Sequence, residues 1–312
     1  MKRIVYSIYN EIPDNALEKN QPYSGDTIPK SLRAKLQFKK HYNTLKKCKE
    51  EWAELCGAEF KIFNTNPDPK NDIFNLFKQK FGLHFGQNRK DYDIMQFFKI
   101  FVFEQMANYY DEIVYLDFDV IPNGHFSPFD YWNMSKINVL GIDSKKENIW
   151  SIHDLQQLNR NKSPHDTIVK SFDKQNMYCK MMTKKAMLAT QGINGNNIVT
   201  NTGILGGNSE AIKKLNFFDD FVFKIDTLIQ AKEEQMFGPV IADKGFINNE
   251  IFFAFHLENK NIPWENLTQQ WHYMLMSGNL RVPRDELERA YLIHVMDKNF
   301  EKVFKICGIQ QS

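Results

Sequence analysis

Short, β-prone apolar runs alternate along the chain with longer segments whose apolar residues recur at helical spacing. Residues 3–9, Arg-Ile-Val-Tyr-Ser-Ile-Tyr, read as a first strand, and the polar, proline-bearing stretch 10–29 as a loop. A helical pattern begins at Ser31 and runs to about Cys56, where Gly57 stops it. Glu59 to Phe63 is a second strand. A strand, a helix and a strand in that order predict a βαβ unit and a parallel sheet.

The pattern then predicts a short helix over Asn71–Lys80 and a stronger one over Asp91–Asn108, with Met95, Phe98, Phe101 (or Val102) and Met106 at helical spacing. Ile113 to Leu116 is a buried strand, and Asn138 to Ile142 another. Residues 144–176 are polar, and a long stretch of that kind inside a compact domain reads as a lid or binding loop. Tyr178–Thr190 is helical. Ile198–Leu205 is a strand that Gly206-Gly207 should end. Helices are expected over 209–214 and 218–235, and another from Asn249 with Asn248 or Asn249 as its cap. Ala290–Val295 is a late strand and Asn299–Cys307 a last helix. The pattern contains no internal repeat and no linker, so one α/β domain is expected.

Composition adds exclusions. The chain has 312 residues, 42% hydrophobic and 25% charged, which suits a globular protein with a filled core. A net charge of +2 offers no field for nucleic acid. Lys46, Lys47 and Lys49, followed by Glu50 and Glu51, read as a solvated helix face. No stretch approaches the ~18 apolar residues of a membrane span. No apolar signal-peptide core precedes Ile4, and Cys48, Cys56, Cys179 and Cys307 form no C-x-x-C pair. A reduced, cytoplasmic location is the expectation.

The candidate chemistry centres on Asp117-Phe118-Asp119, directly after the apolar run Ile113–Leu116. Side chains at i and i+2 of a strand share a face, so the two carboxylates should converge where the strand leaves the sheet. Paired carboxylates suit a hard divalent cation, Mn²⁺ or Mg²⁺. A solvated turn is the plainer alternative. His294 ends another apolar run, Tyr291-Leu292-Ile293, and is either a packed core histidine or a ligand to the same ion. Lys298 lies four residues on, and Lys99 sits in an apolar helix where an anionic ligand would explain it. Asn201-Thr202-Gly203 combines an amide, a hydroxyl and a close backbone approach, groups that suit sugar hydroxyls or simply a strand end. Asn249-Glu250 either caps a helix or places a carboxylate beside a reacting sugar. Trp271 stacks on a sugar or fills the core. No P-loop, G-x-G-x-x-G, G-x-S-x-G or H-E-x-x-H motif is present.

Taken in order, these motifs resemble a GT-A fold nucleotide-sugar glycosyltransferase, closest to the glycogenin-like retaining family. The resemblance runs from Ile4 to Lys298 and rests on the opening strand Ile4–Tyr9, Lys99, Tyr115-Leu116-Asp117-Phe118-Asp119, Asn201-Thr202-Gly203, Asn249-Glu250 and His294. The chain departs from that family in lacking its His-x-x-Gly-x-x-Lys-Pro-Trp ending, since His294-Val295-Met296-Asp297-Lys298 stands there.

The resemblance implies a Rossmann-like, mixed but mostly parallel sheet flanked by helices in a single domain. A nucleotide-binding half would span about 1–120 and an acceptor-side half about 121–312. Asp117, Asp119 and His294 would hold the metal. Tyr6, Ser7, Tyr9, Lys99, Phe118 and Lys298 would bind the nucleotide. Asn201, Asn249 and Glu250 would be catalytic, with Thr202, Gly203, Trp271, His272 and Asp166 on the sugar and acceptor side. The implied reaction transfers a sugar from a UDP-sugar to a glycan or protein-linked sugar with retention of configuration. An inverting reaction would need Glu250 or Asp166 as base. The rivals are a haloacid-dehalogenase-like phosphatase, with Asp117/Asp119 as its motif and Asp219-Asp220 as its second acidic pair, and a non-catalytic carbohydrate-binding protein on a transferase fold.

Overall fold

The structure is a computed structural model of the chain and describes residues 1–10, 30–65, 72–85, 91–143, 177–234, 247–275 and 284–310. Its elements run β1 (Arg3–Tyr9), α1 (Lys30–Leu55), β2 (Glu59–Asn64), α2 (Asp72–Phe81), a 3₁₀ turn (Gly82–Phe85), α3 (Asp91–Met106), β3 (Glu112–Leu116), β4 (Val120–Pro122), α4 (Pro128–Tyr131) and β5 (Ile137–Asp143). They continue with α5 (Met177–Thr190), β6 (Ile198–Asn208), α6 (Ser209–Leu215), α7 (Phe221–Glu233), α8 (Asn249–Asn259), β7 (Trp264–Asn266), β8 (Tyr273–Leu275), α9 (Arg284–Arg289), β9 (Leu292–Val295) and α10 (Phe300–Cys307). The fold is mixed α/β. One sheet has the order β2-β1-β3-β6-β5-β7 and a smaller one β4-β9-β8.

By its internal contacts the chain divides into two compact units. The first comprises residues 1–138, 203–213 and 265–312. In it β1 lies between β2 and β3, parallel to both, as the βαβ pattern predicts, and β3 pairs antiparallel with the end of β6. Every residue of β3 is buried, which accounts for its unbroken apolar run. A cluster of Leu45, Phe118, Ile121, Leu275, Ile293, Val295, Phe300 and Phe304, among others, forms a core behind the smaller sheet. The second unit comprises residues 139–202 and 214–264. There α5 packs against α7 and α8, and the ion pairs Lys180–Glu250 and Lys184–Glu258 join α5 to α8.

Three sequence expectations change. Gly206-Gly207 does not end β6, which continues to Asn208 in register with β3. A Cβ on Gly206 would stand 2.6 Å from the Trp132 ring, so glycine here admits an indole rather than a turn. Lys49 is not on a solvated face: it is fully buried, on the same α1 stripe as Leu45 and Trp52. Residues 117–119 are a turn, not a strand end, closed by Val120 N donating to Asp117 O at 2.9 Å. The expected loop 10–29, apart from Asn10, and the expected lid 144–176, with Asp166, lie outside the described residues.

Candidate metal centre

The turn between β3 and β4 is fixed from several sides. Asp117 N donates to Gly203 O on β6 at 2.7 Å, and Val295 N donates to Asp119 O at 3.0 Å. The Phe118 carbonyl accepts from the buried Lys49 ammonium at 2.9 Å. The antiparallel pairing of β4 with β9 sets Val120 opposite His294. That pairing carries His294 from far along the sequence to the two aspartates.

Asp117, Asp119 and His294 each offer one ligand atom, all within 4.8 Å of one another. His294 Nε2 lies 3.3 Å from Asp119 Oδ2 and 3.8 Å from Asp117 Oδ2. Adjacent ligands on a small divalent ion with ~2.1 Å bonds sit ~3 Å apart, so two carboxylates and an imidazole at these separations fit such an ion with little movement. His294 and Asp119 are buried and Asp117 is half-exposed, which leaves the cluster one open side.

Two lysines meet the carboxylates. Lys99 Nζ is 3.2 Å from Asp117 Oδ1, and Lys298 pairs with Asp119 Oδ2, the oxygen that also faces His294. Lys298 holds a left-handed backbone, φ 60°, which in a non-glycine residue costs about 1–2 kcal/mol. Burial pushes the Asp119 carboxyl up, but Lys298 and His294 outweigh it and hold it well below the usual carboxylate range. Tyr115 donates to Asp117 Oδ1. Burial first, then the Asp117 charge, pushes the Tyr115 and Tyr6 phenols well above their ordinary value, so both stay protonated donors.

The other expected site residues take these places. Tyr6 and Ser7 are fully buried, and their hydroxyls donate to Lys99 O (2.8 Å) and Leu116 O (2.7 Å). Tyr9 packs on Phe118, ring centroids 4.9 Å apart, with Tyr42 stacked on the same ring at 5.4 Å. Trp271 is buried against Tyr291 and Trp132. His272 is buried, and its Nε2 lies 3.0 Å from His294 Nδ1. Lys49, Tyr115 and this role of His272 were missed in the sequence; only Lys49 left a signal, its place on an apolar helical stripe.

Asn201, Thr202, Asn249 and Glu250 belong to the second unit. There Asn249 Nδ2 donates to Thr202 Oγ1 at 2.6 Å, and Asn201 is buried. Asn248, not Asn249, caps α8, its side chain accepting from Glu250 N (2.9 Å) and Ile251 N (3.2 Å). Glu250 thus sits in the first helical turn, and its carboxylate pairs with Lys180.

No family model matches the chain, and no curated protein matches it in sequence. Among solved structures it is similar to galactosyltransferase LgtC in complex with donor and acceptor sugar analogues: 12% identical, covering 99% of this chain and 96% of that one, TM-score 0.46. It is similar to mouse xyloside xylosyltransferase 1 in its apo form: 10% identical, 95% and 98% covered, TM-score 0.45. A glycosyltransferase involved in glycosylation of the major capsid of PBCV-1 is 9% identical over 99% and 100%, TM-score 0.41.

Proposed function

We propose that the chain is a metal-dependent glycosyltransferase of the GT-A fold, which moves a sugar from a nucleotide-diphosphate donor, a UDP-sugar first, to a hydroxyl of a glycan or protein-linked sugar with retention. The convergence of Asp117, Asp119 and His294 beyond the end of a buried strand, with Lys99 and Lys298 on the same carboxylates, supports this reading most. Mn²⁺ or Mg²⁺ bound there supplies Lewis-acid stabilisation of the negative charge that develops on a departing nucleotide diphosphate. Lys298 releases Asp119 and turns its ammonium to the donor's diphosphate, while Lys99 holds Asp117 in place. Tyr9, backed by Phe118, offers the nucleobase an aromatic face. Tyr6 and Ser7 act from beneath, anchoring Lys99 and Leu116 through their carbonyls.

Asn201, Thr202, Asn249 and Glu250 are proposed as the sugar-orienting group, with the Glu250 carboxylate held by Lys180. The phosphatase rival loses one support: its second acidic pair would include Asp220, which is committed to Lys224 and, at 3.1 Å, to Lys260. Calorimetric titration with UDP, GDP and a simple phosphate ester, with and without Mn²⁺ or Mg²⁺, tests the reading. UDP binding is expected only with metal. Metal-independent binding, or turnover of the phosphate ester, overturns the proposal.

A further inference from the structure

A histidine whose Nε2 ligates a cation must present a lone pair there, so when neutral it carries its hydrogen on Nδ1. That N–H needs an acceptor, and in known metal sites the acceptor fixes ring orientation and ligand basicity. Among the described residues the group at His294 Nδ1 is neither a carboxylate nor a carbonyl. It is the Nε2 of a second histidine, His272, 3.0 Å away, with the two rings near-parallel and their centroids 5.3 Å apart. Both side chains are buried, and β8, which follows His272 directly, runs parallel to β9 with Met274 beside His294. The contact therefore rests on sheet pairing rather than on a surface loop.

One proton serves the contact between two nitrogens. If His272 donates, His294 Nδ1 is the acceptor and His294 Nε2 must carry a hydrogen, which points at Asp119 and closes the nitrogen to a cation. If His272 accepts, His294 Nε2 keeps its lone pair towards Asp117 and Asp119. His272 must then carry its own hydrogen on Nδ1, and that atom is buried with no hydrogen-bond partner among the described residues. That nitrogen lacks a partner in either tautomer, so the choice between them rests on the cation's need for the His294 Nε2 lone pair.

We propose that His272 is a positioning residue of the metal site: its unprotonated Nε2 accepts the Nδ1–H of His294 and keeps the His294 Nε2 lone pair turned to the two aspartates. This rests on the metal reading above. Only the tautomer is selected, so no net proton is gained or lost.

The test pairs ¹⁵N spectra of the imidazole nitrogens with Mg²⁺ titrations, Mg²⁺ being diamagnetic. In Mg²⁺-loaded wild type, His294 is expected as the Nδ1–H tautomer and His272 likewise. His272→Phe, which keeps a ring but offers no acceptor, should weaken Mg²⁺ binding ~10–100-fold in the absence of any donor. His272→Gln, whose side-chain oxygen can accept, should recover most of that loss. An Nε2–H His294 in the loaded wild type overturns the proposal, and this measurement stands even if the phenylalanine variant fails to fold. Equal Mg²⁺ affinity in a folded His272→Phe protein overturns it too. If the wild type itself binds neither Mg²⁺ nor Mn²⁺, the metal reading falls first and this inference with it.

Discussion

Lys49 should make the stability of this protein rise with pH in the alkaline range, and Lys49→Met should abolish that rise. The side chain is fully buried, its ammonium 2.9 Å from Phe118 O, 3.5 Å from Leu45 O and 5.0 Å from the Phe118 ring centre. Among the described residues it pairs with no carboxylate. Burial lowers its pKa from 10.5 to about 8, while Cys48, Asp119 and Asp117 pull the other way. That depression corresponds to about 3 kcal/mol between the charged and neutral forms.

The sign follows from proton counting. The folded pKa lies below the unfolded one, so from about 8 to 10.5 the unfolded chain holds the extra proton and stability rises with pH. Between about pH 7.5 and pH 10 this residue alone contributes about 2 kcal/mol. At the lower pH, methionine relieves the burial of a charge but leaves the Phe118 carbonyl unpaired, which costs about 1–3 kcal/mol, so the variant should be near-neutral or slightly stabilised. At the higher pH the neutral amine still donates to that carbonyl, and the variant should be the less stable protein. Denaturant unfolding of both proteins at the two pH values isolates the effect, because titrations common to both cancel. A wild-type-minus-variant difference that stays constant within ~0.5 kcal/mol would refute the reasoning.

Other substitutions probe the metal centre and the sheet. Asp119→Asn should weaken Mn²⁺ binding by more than the ~10–100-fold typical of losing an outer partner, as read by calorimetry, and should stop metal-dependent donor hydrolysis. Lys298→Met should act in opposite directions: it frees Asp119 Oδ2, so metal alone binds up to roughly tenfold tighter, while UDP binding in the presence of metal weakens. Loss of both affinities together would remove Lys298 from the donor side. Gly206→Ala should destabilise by about 1–3 kcal/mol in chemical unfolding, because its Cβ would meet the Trp132 ring at 2.6 Å and 2.8 Å.

What the sequence revealed follows the strength of its local patterns. β1, α1, β2, α3 and β3 are legible because each carries a run of six or more patterned residues or, for β3, a wholly buried apolar run followed by acidic residues. The helix start at Asn248 was legible from its cap. β4 and β8 were not, because three residues are too few to show a period; they exist as strands only through pairing with β9. The aspartates do converge, but through the turn that follows β3 rather than by strand alternation. His272 and Tyr115 were assigned no metal-site role because tertiary contacts alone set it: sheet pairing for the histidine, a bond to Asp117 for the tyrosine.

The charges that touch the carboxylates explain why lysines sit where a cation is expected. Asp117 and Asp119 bring two negative charges, and Lys99 and Lys298 answer them with two positive ones. In that arrangement the buried aspartate is paired rather than left as an isolated charge, which a low-dielectric site would not tolerate. A divalent ion held by these carboxylates and His294 would add two positive charges to a cluster whose aspartates and lysines already balance. Among the described residues no further carboxylate joins this cluster, so a loaded site would attract an anion carrying about two charges at the distance of a lysine side chain. A diphosphate has that charge and presents several oxygens. Metal and diphosphate then favour each other's binding by the same factor, as linkage requires. A phosphate monoester is also close to dianionic at neutral pH, so charge alone does not separate the two; the extra oxygens of a diphosphate, enough to meet a cation and two ammonium groups together, are what would favour it.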